Sequence, residues 1–335
     1  MGRRAPPPRI GAMADATAAV ELDGQYRAIR EGAGMLDRSE RGKLLVRGAD
    51  AVDYLQSQVT NDIEALEPDQ GCYAALLDRK GHFVADMTVL CLSHSHAGDI
   101  WLDTEPAALE PLRKHLETYK IGRAVEVVDE SKEWAISSLI GPGSAEVAGT
   151  APLSPEYAQL YYERDGVQIL AVATDLGLDL ITRPDAAGAL REQLLAAGAE
   201  PVTEEATEIV RVESGRPRFG HDFDESTMPA EAGVVERAVD FEKGCYIGQE
   251  PVARLHYRGK PNRRLVGLRL TTPAEAGATL RLGEREVGAI GSACVSPAFG
   301  PIALAVVRRE AEVGDRLEVG EGALTAEVAD LPFAV

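Results

Sequence analysis

Two hydrophobic rhythms run along this chain, and they change over near residue 260. Before that point, short apolar or alternating runs at 43–47, 72–77, 83–92, 124–128, 134–140, 167–172 and 178–182 predict strands. Interleaved with them, residues 25–31, 51–59, 105–119, 185–197 and 203–214 predict helices. In the 51–59 segment Val52, Leu55 and Val59 share one helical face, and Asp50 stands where an N-cap belongs. The tetrad Asp78-Arg-Lys-Gly81 between two strand-like runs is a hairpin signal. Beyond residue 263 only short β segments remain (265–270, 279–282, 287–295, 302–307, 316–319 and 324–328), parted by glycine-rich turns, which predicts a small β-barrel or sandwich.

Hairpins mixed with helices predict an α+β fold of hairpin and helix layers rather than a doubly wound parallel sheet. The expected division is a disordered tail over residues 1–14, an α+β region over 15–258 that divides near 141–155, and a C-terminal β-barrel over 263–335. The basic connector before the barrel contains Gly259 and Pro261. Residues 287–307 carry no charge over 21 positions, the length of a bilayer helix. Gly288, Gly291, Pro297, Gly300 and Pro301 interrupt the stretch, so a hairpin of buried strands is expected there and no membrane span.

The length of 335 residues suits about two domains, and a 45% hydrophobic composition supports ordinary cores and excludes global disorder. A net charge of −19 argues against a general nucleic-acid coat or a membrane-surface protein, since both partners are polyanions, so direct nucleic-acid binding is not expected. Cys72, Cys91, Cys245 and Cys294 lie far apart with no C-x-x-C pair, so neither a disulfide framework nor a structural zinc site is expected. Reduced thiols imply a cytoplasmic location. The opening MGRRAPPPRIGAMADA lacks the apolar core of a secretory signal and reads as a tail, or as an over-extended start with Met13 as initiator.

Several familiar chemistries are missing. The chain has no phosphate loop, no H-E-x-x-H and no G-x-S-x-G, and Gly32 and Gly34 make a lone G-x-G. His94 and His96 sit in a polar turn that reads as solvated loop. The dense feature is Lys243-Gly-Cys-Tyr-Ile-Gly-Gln-Glu250-Pro-Val-Ala-Arg254. Gly244 and Gly248 free the backbone on either side of Cys245, and Gly248 stands where a helix begins near Gln249. Lys243, Arg254 and a helix N-terminus would favour a thiolate, whereas Glu242 and Glu250 oppose it. A reactive thiol and a packed, inert one both fit these residues. Downstream, Arg254, Arg258, Lys260, Arg263 and Arg264 reverse the local sign of the chain, which reads either as an anion grip or as a solvated linker.

The octad Lys243–Glu250 resembles the K-x-C-[YFW]-x-G-Q-E signature of the YgfZ family, the folate-binding, tRNA-modification-linked branch of the glycine-cleavage T-protein (aminomethyltransferase) superfamily. The resemblance spans almost the whole chain. Leu55-Gln-Ser-Gln-Val-Thr60-Asn61-Asp62 is similar to the superfamily's opening motif, residues 81–86 to its hairpin leading to an acid, and residues 211–232 to its helix and following loop. It implies an aminomethyltransferase-like fold around a central cavity for tetrahydrofolate, followed by the barrel. The pterin-reading Glu of the superfamily corresponds to Asp175, one methylene shorter, and one acid of its Asp-Asp pair is replaced by Ala85 beside Asp86. Alternation sets Asp86 on the strand face away from Phe83 and Ala85, where a lone exposed carboxyl would have an ordinary pKa.

Accordingly, Cys245 and Asp86 are the expected chemical residues. Asp175, Lys243, Tyr246, Gln249, Glu250, Arg254 and Arg258 are the expected folate contacts. The resemblance implies a tetrahydrofolate-binding accessory protein for iron–sulfur cluster assembly or repair, serving iron–sulfur and tRNA-modifying client enzymes through Cys245. The alternative is a tetrahydrofolate-dependent aminomethyl or methyl transferase that relies on Asp86. A weaker third reading is an adaptor working through residues 254–264.

Overall fold

The structure, a computed structural model, describes residues 10–93, 99–322 and 324–334. His94, His96 and the first nine residues of the expected tail lie outside the described residues. Helix α1 (Ile10–Glu31) leads into β1 (Gly34–Asp37), β2 (Gly42–Arg47), α2 (Ala51–Gln56), β3 (Gly71–Leu77), β4 (Phe83–Cys91), β5 (Ile100–Thr104), α3 (Pro106–Tyr119) and β6 (Glu126–Asp129). Then follow β7 (Ala135–Ile140), α4 (Ser144–Ala148), β8 (Gln159–Arg164), β9 (Val167–Ala173), β10 (Gly177–Thr182), α5 (Ala187–Ala196), β11 (Glu200–Pro201), α6 (Glu204–Glu213), α7 (Val235–Ala238) and α8 (Gln249–Arg258). The C-terminal part is all β: β12 (Arg263–Leu270), β13 (Thr279–Leu282), β14 (Arg285–Ser296), β15 (Gly300–Arg308), β16 (Arg316–Val319) and β17 (Leu324–Ala329).

The strands form two sheets and a closed barrel. One sheet has the order β3-β4-β5-β2-β6, the other β11-β1-β7-β10-β9-β8, and the barrel β12-β15-β14-β13-β16-β17. This is the α+β fold with a C-terminal barrel that the hydrophobic pattern predicts. Residues 287–307, uncharged throughout, supply most of the β14–β15 hairpin; Gly288, Gly291, Gly300 and Pro301 sit in its strands and Pro297 in its turn, and no described helix is long and apolar enough to cross a membrane. The chain passes from one sheet to the other between Asp129 and Ala135, and the 141–155 segment lies between two paired strands of a single sheet, β7 and β10.

Each unit has its own core. Leu44, Val46, Tyr54, Leu55, Phe83, Ala85 and Leu112 pack the first sheet against α2 and α3, and Leu139, Ile169, Leu180 and Leu190 pack the second against its helices. Leu90, Trp101, Ile136 and Val172 join the two sheets, while Val212 of α6 meets Ile302 and Leu304 of the barrel. Burial at these joints stabilises one arrangement of sheets and barrel, at roughly 25 cal/mol per Å² of apolar surface removed from water.

Two local expectations change. The helix read at 51–59 stops at Gln56, because Val59 is drawn into a bridge with Leu76 and Thr60 bonds the β3 backbone at Ala75. Asp50 does precede α2, but its carboxylate accepts from the Ala124 amide at 2.7 Å instead of capping the helix. The helix read at 25–31 is the end of α1, whose Tyr26 and Ile29 pack on Ile209 and Val210 of α6.

Candidate functional site

Between the two sheets, closed on a third side by α6 and the Arg216–Arg218 turn, lies a cavity of about 210 Å³. Asp86 of β4 and Asp175 of the β9–β10 turn both line it. A second hollow of about 420 Å³ adjoins it, sharing Ile140 and the Thr174–Asp175–Leu176 turn as a wall.

β4 is buried on both faces, so its alternation separates core from cavity: Phe83 and Ala85 join the apolar core, and Asp86 faces the polar space. Asp86 is only 8% exposed. The Tyr73 hydroxyl donates to its Oδ2 at 2.7 Å, and Thr104 Oγ1 donates to its backbone carbonyl at 2.6 Å. Burial pushes the Asp86 carboxyl up to about 6, with nearby Glu105 adding to the rise; the Tyr73 hydrogen bond opposes it and is outweighed. The sequence reading of a lone, exposed, unshifted acid is corrected here. Sequence shows that a strand residue faces away from its neighbour, but not that a second sheet covers that face.

Asp175 takes an ion pair from Arg216 Nε at 3.1 Å; burial raises its pKa against the pull of that cation. Arg216 also grips Glu156, which Arg237 meets from the other side at 3.0 Å. Arg237 Nη2 further donates to the Tyr157 hydroxyl at 2.8 Å, and its guanidinium lies 4.8 Å from the Tyr73 ring centroid. The Thr60-Asn61 pair holds this corner together. Asn61 Nδ2 donates to the carbonyls of both Tyr73 and Arg237, at 2.9 and 3.0 Å, and Thr60 Oγ1 donates to the Ala238 carbonyl.

A relay of alternating charge runs along the cavity wall. Arg41 binds Asp103 and Glu105, Arg218 binds Glu105, Glu204 and Glu208, and Arg211 binds Glu208, Asp222 and the barrel's Ser292 hydroxyl. Burial alone would raise Glu105, yet Arg41 and Arg218 together hold its carboxyl below the usual carboxylate range. Each charge of this relay is thus matched, which is the condition for its tolerance in a low-dielectric site. Two donors are left over: Arg218 Nε and Arg237 Nε are buried without a hydrogen-bond partner beside the cavity. Carboxylates for N–H groups, spare guanidinium donors and flanking tyrosines suit a flat, polar heterocycle with an anionic arm.

The Lys243–Arg258 segment lies elsewhere. None of Lys243, Cys245, Tyr246, Gln249, Glu250, Arg254 or Arg258 lines the Asp86–Asp175 cavity. Lys243 is buried, and its ammonium donates to the carbonyls of Gln56, Val59 and Asn61 at 2.8, 2.7 and 2.6 Å. Burial pushes its pKa down to about 8, which leaves it protonated at neutral pH and able to make all three bonds. Lys243 therefore anchors its loop to the turn after α2. Tyr246 is buried in the first sheet's core, Cys245 is exposed, and Gly248 turns the chain into α8 with φ +83°. A side chain at Gly248 would place its Cβ 2.5 Å from the Asp78 carbonyl, so only glycine fits against the β3–β4 turn. Tyr246, Gln249 and Glu250 border a separate hollow of about 620 Å³, and Arg254 and Arg258 lie on the exposed side of α8.

Comparison with known proteins bears on this architecture directly. Residues 14–243 match the GCVT N-terminal domain, and residues 263–334 match the glycine cleavage T-protein C-terminal barrel domain. The chain belongs to the glycine cleavage T-protein family. Among its relatives, an aminomethyltransferase of Rubrobacter xylanophilus is 29% identical over 93% of this chain and 86% of its own length. One of Thermotoga neapolitana is 30% identical over 88% and 84%. The fold matches the crystal structure of glycine cleavage system aminomethyltransferase T from Bartonella henselae, with a TM-score of 0.82 at 23% identity, covering 93% of this chain and 89% of that one. The aminomethyltransferase-like fold is therefore established for this T-protein family member.

Sequence reasoning singled out Asp86 and Asp175 but missed Tyr73, Glu156, Tyr157, Arg216, Arg218 and Arg237, which share their cavity. These six come from four separated stretches of chain, and no spacing rule joins them. The one available signal was the Arg-Pro-Arg run at 216–218, cations flanking a rigid residue directly after a helix.

Proposed function

We propose that this chain binds a tetrahydrofolate in the cavity between its sheets and acts there as a one-carbon transferase of the aminomethyl type. The observation that carries this reading is Asp86: a buried carboxyl with a pKa near 6, fixed by Tyr73, in the same polar cavity as Asp175. A general acid or base works best when its pKa lies near the working pH. Because Tyr73 occupies Oδ2, Oδ1 is the atom left to hold or give up the proton. The bound folate would supply a ring nitrogen that accepts the one-carbon unit. Asp175, steadied by Arg216, would read the pterin's N–H edge, and the spare Nε donors of Arg218 and Arg237 would take its acceptor atoms. Ala85, where the superfamily carries an acid, packs in the core away from the cavity, so this reading rests on Asp86 as its single acid.

Asp175→Asn is expected to weaken tetrahydrofolate binding roughly tenfold or more, because a carboxylate that accepts two N–H groups becomes an amide that matches one. Quenching of intrinsic fluorescence on titration with tetrahydrofolate measures this. Equal affinity in the variant would remove Asp175 from the site.

The exposed Cys245 favours a second reading, that of the YgfZ branch: an accessory factor for iron–sulfur enzymes, including tRNA-modifying ones. A thiol on the surface, outside the folate cavity, is placed to meet another protein, and a cluster needing about four thiolates would have to be shared with it. Cys245→Ser is expected to abolish rescue of an iron–sulfur enzyme defect in cells while leaving folate binding intact. Full rescue by that variant would defeat this reading.

A further inference from the structure

The basic run at 254–264 divides in two on folding. Arg263 forks onto Glu231 at 3.1 and 2.8 Å and donates to the Ser226 carbonyl, and Arg264 donates to the Ala311 carbonyl at 2.9 Å. Arg263 thus ties the barrel to the body, and Arg264 bonds within the barrel. Arg254, Arg258 and Lys260 do neither: all three are exposed, and among the described residues none has a carboxylate partner at ion-pair distance. The lack stands out in a chain of net charge −19, whose cavity arginines are each bound to at least one acid and, at Arg218, to three. Attraction to the helix dipole accounts for Arg258 in the last turn of α8, but not for Arg254 in its middle or for Lys260 beyond its end.

The surface around these cations is shaped. Arg254 and Arg258 are one turn apart on the same face and line a depression of about 470 Å³ together with Ala253, Tyr257 and, at its N-terminal rim, Glu250. Tyr257 is 65% exposed. Its ring is nonetheless held in place, edge-on to Phe241 and His256, which stack on each other with centroids 3.9 Å apart. Of the ten residues of α8 only Val252 is buried, and Glu250, Arg254, His256, Tyr257 and Arg258 are exposed. A fixed aromatic flanked by unpaired arginines is the composition of a binding hot spot, not of a solubilising face.

We propose that the outer face of α8 docks an acidic segment of a partner protein, with Arg254 and Arg258 each forking onto a carboxylate, Lys260 adding a third charge and Tyr257 covering an apolar side chain. Charge complementarity selects this occupant. Carboxylates match the planar guanidinium fork, and a short acidic segment is neutralised within the patch. A nucleic acid carries charge along its whole length and would extend from these three cations over the acidic body, which repels it. A folate polyglutamate tail is not the occupant either, because the depression shares no lining residue with the cavity that holds Asp86 and Asp175. The inference is independent of what that cavity binds.

The test uses the full chain and a fluorescein-labelled peptide of repeated Glu-Ala-Leu-Glu units, followed by anisotropy at several salt concentrations. Binding is expected to weaken with salt and to fall by about tenfold or more in the double variant Arg254→Glu/Arg258→Glu. The double variant Arg281→Glu/Arg309→Glu, with the same charge change on the exposed barrel surface, is expected to bind as the wild type does. Tetrahydrofolate affinity and thermal midpoint serve as controls; both are expected to stay unchanged in the α8 variant, since neither arginine lines the cavity or bonds within the fold. Absence of peptide binding, an equal loss in both double variants, or tighter binding of a single-stranded RNA of matched charge would each overturn the proposal.

Discussion

Replacing Asp86 with asparagine is expected to slow one-carbon transfer by about 10²–10⁴-fold and, in the same molecule, to raise stability at pH 8. The two effects share one cause. The Asp86 carboxyl has an ordinary value of 3.8 and sits near 6 in the fold, so between those pH values the native state holds a proton that the unfolded chain has released. Stability from this group is therefore greatest below about pH 4 and declines as the pH rises through about 6. Above that range the buried carboxylate costs about 1–3 kcal/mol, which a neutral amide does not. Asparagine retains an oxygen for the Tyr73 hydroxyl, so the cavity wall keeps its hydrogen bond. Denaturant melts of both proteins at pH 4 and pH 8 measure the effect. The variant should match or trail the wild type at the lower pH and exceed it at the higher. A variant less stable at both would show that the carboxylate is held by more than Tyr73. Transfer at wild-type rate would remove Asp86 from the chemistry.

Lys243→Met should have the largest structural effect of any change in the octad, a loss of about 2–4 kcal/mol. Methionine keeps the length of the apolar stem but leaves the carbonyls of Gln56, Val59 and Asn61 without their shared donor. Orphaned buried acceptors cost about 1–3 kcal/mol each, offset in part by no longer burying an ammonium. The loop from Lys243 to Gly248 should then detach from the turn after α2, while Cys245→Ser, at an exposed position, should leave stability within about 0.5 kcal/mol. Melting both variants separates the anchor from the thiol. Equal stability for Lys243→Met and wild type would mean that the three carbonyls find water or other donors.

The particular residues show why some features could be read and others could not. The barrel was legible because its strands are short β segments parted by glycine-rich turns, and the 287–307 hairpin carries glycines and prolines at positions that exclude a membrane helix. Asp86 was legible as a residue facing away from Phe83 and Ala85, since alternation is local. Its perturbed acidity was not, because the groups that bury it belong to other elements: Tyr73 on β3, Thr104 at the end of β5 and Glu105 at the start of α3. Lys243 shows the same limit from the other direction. Its place two residues from Cys245 suggests an electrostatic partner for the thiol, yet its long side chain turns inward to carbonyls more than 180 residues away in sequence.

The basic run brings back the same distinction. By itself the sequence determined the fold class, the barrel, the family and the two carboxylates, all of which rest on periodicity or on contiguous motifs. Only the tertiary structure decided which charges are free. It tied Arg263 to Glu231 of the body and Arg264 to a carbonyl within the barrel, paired Arg211, Arg216, Arg218 and Arg237 with acids, and left Arg254, Arg258 and Lys260 facing water. The physical reason is range. Periodicity acts between residues a few positions apart, whereas the availability of a charge depends on every group that folding brings within a few ångströms of it.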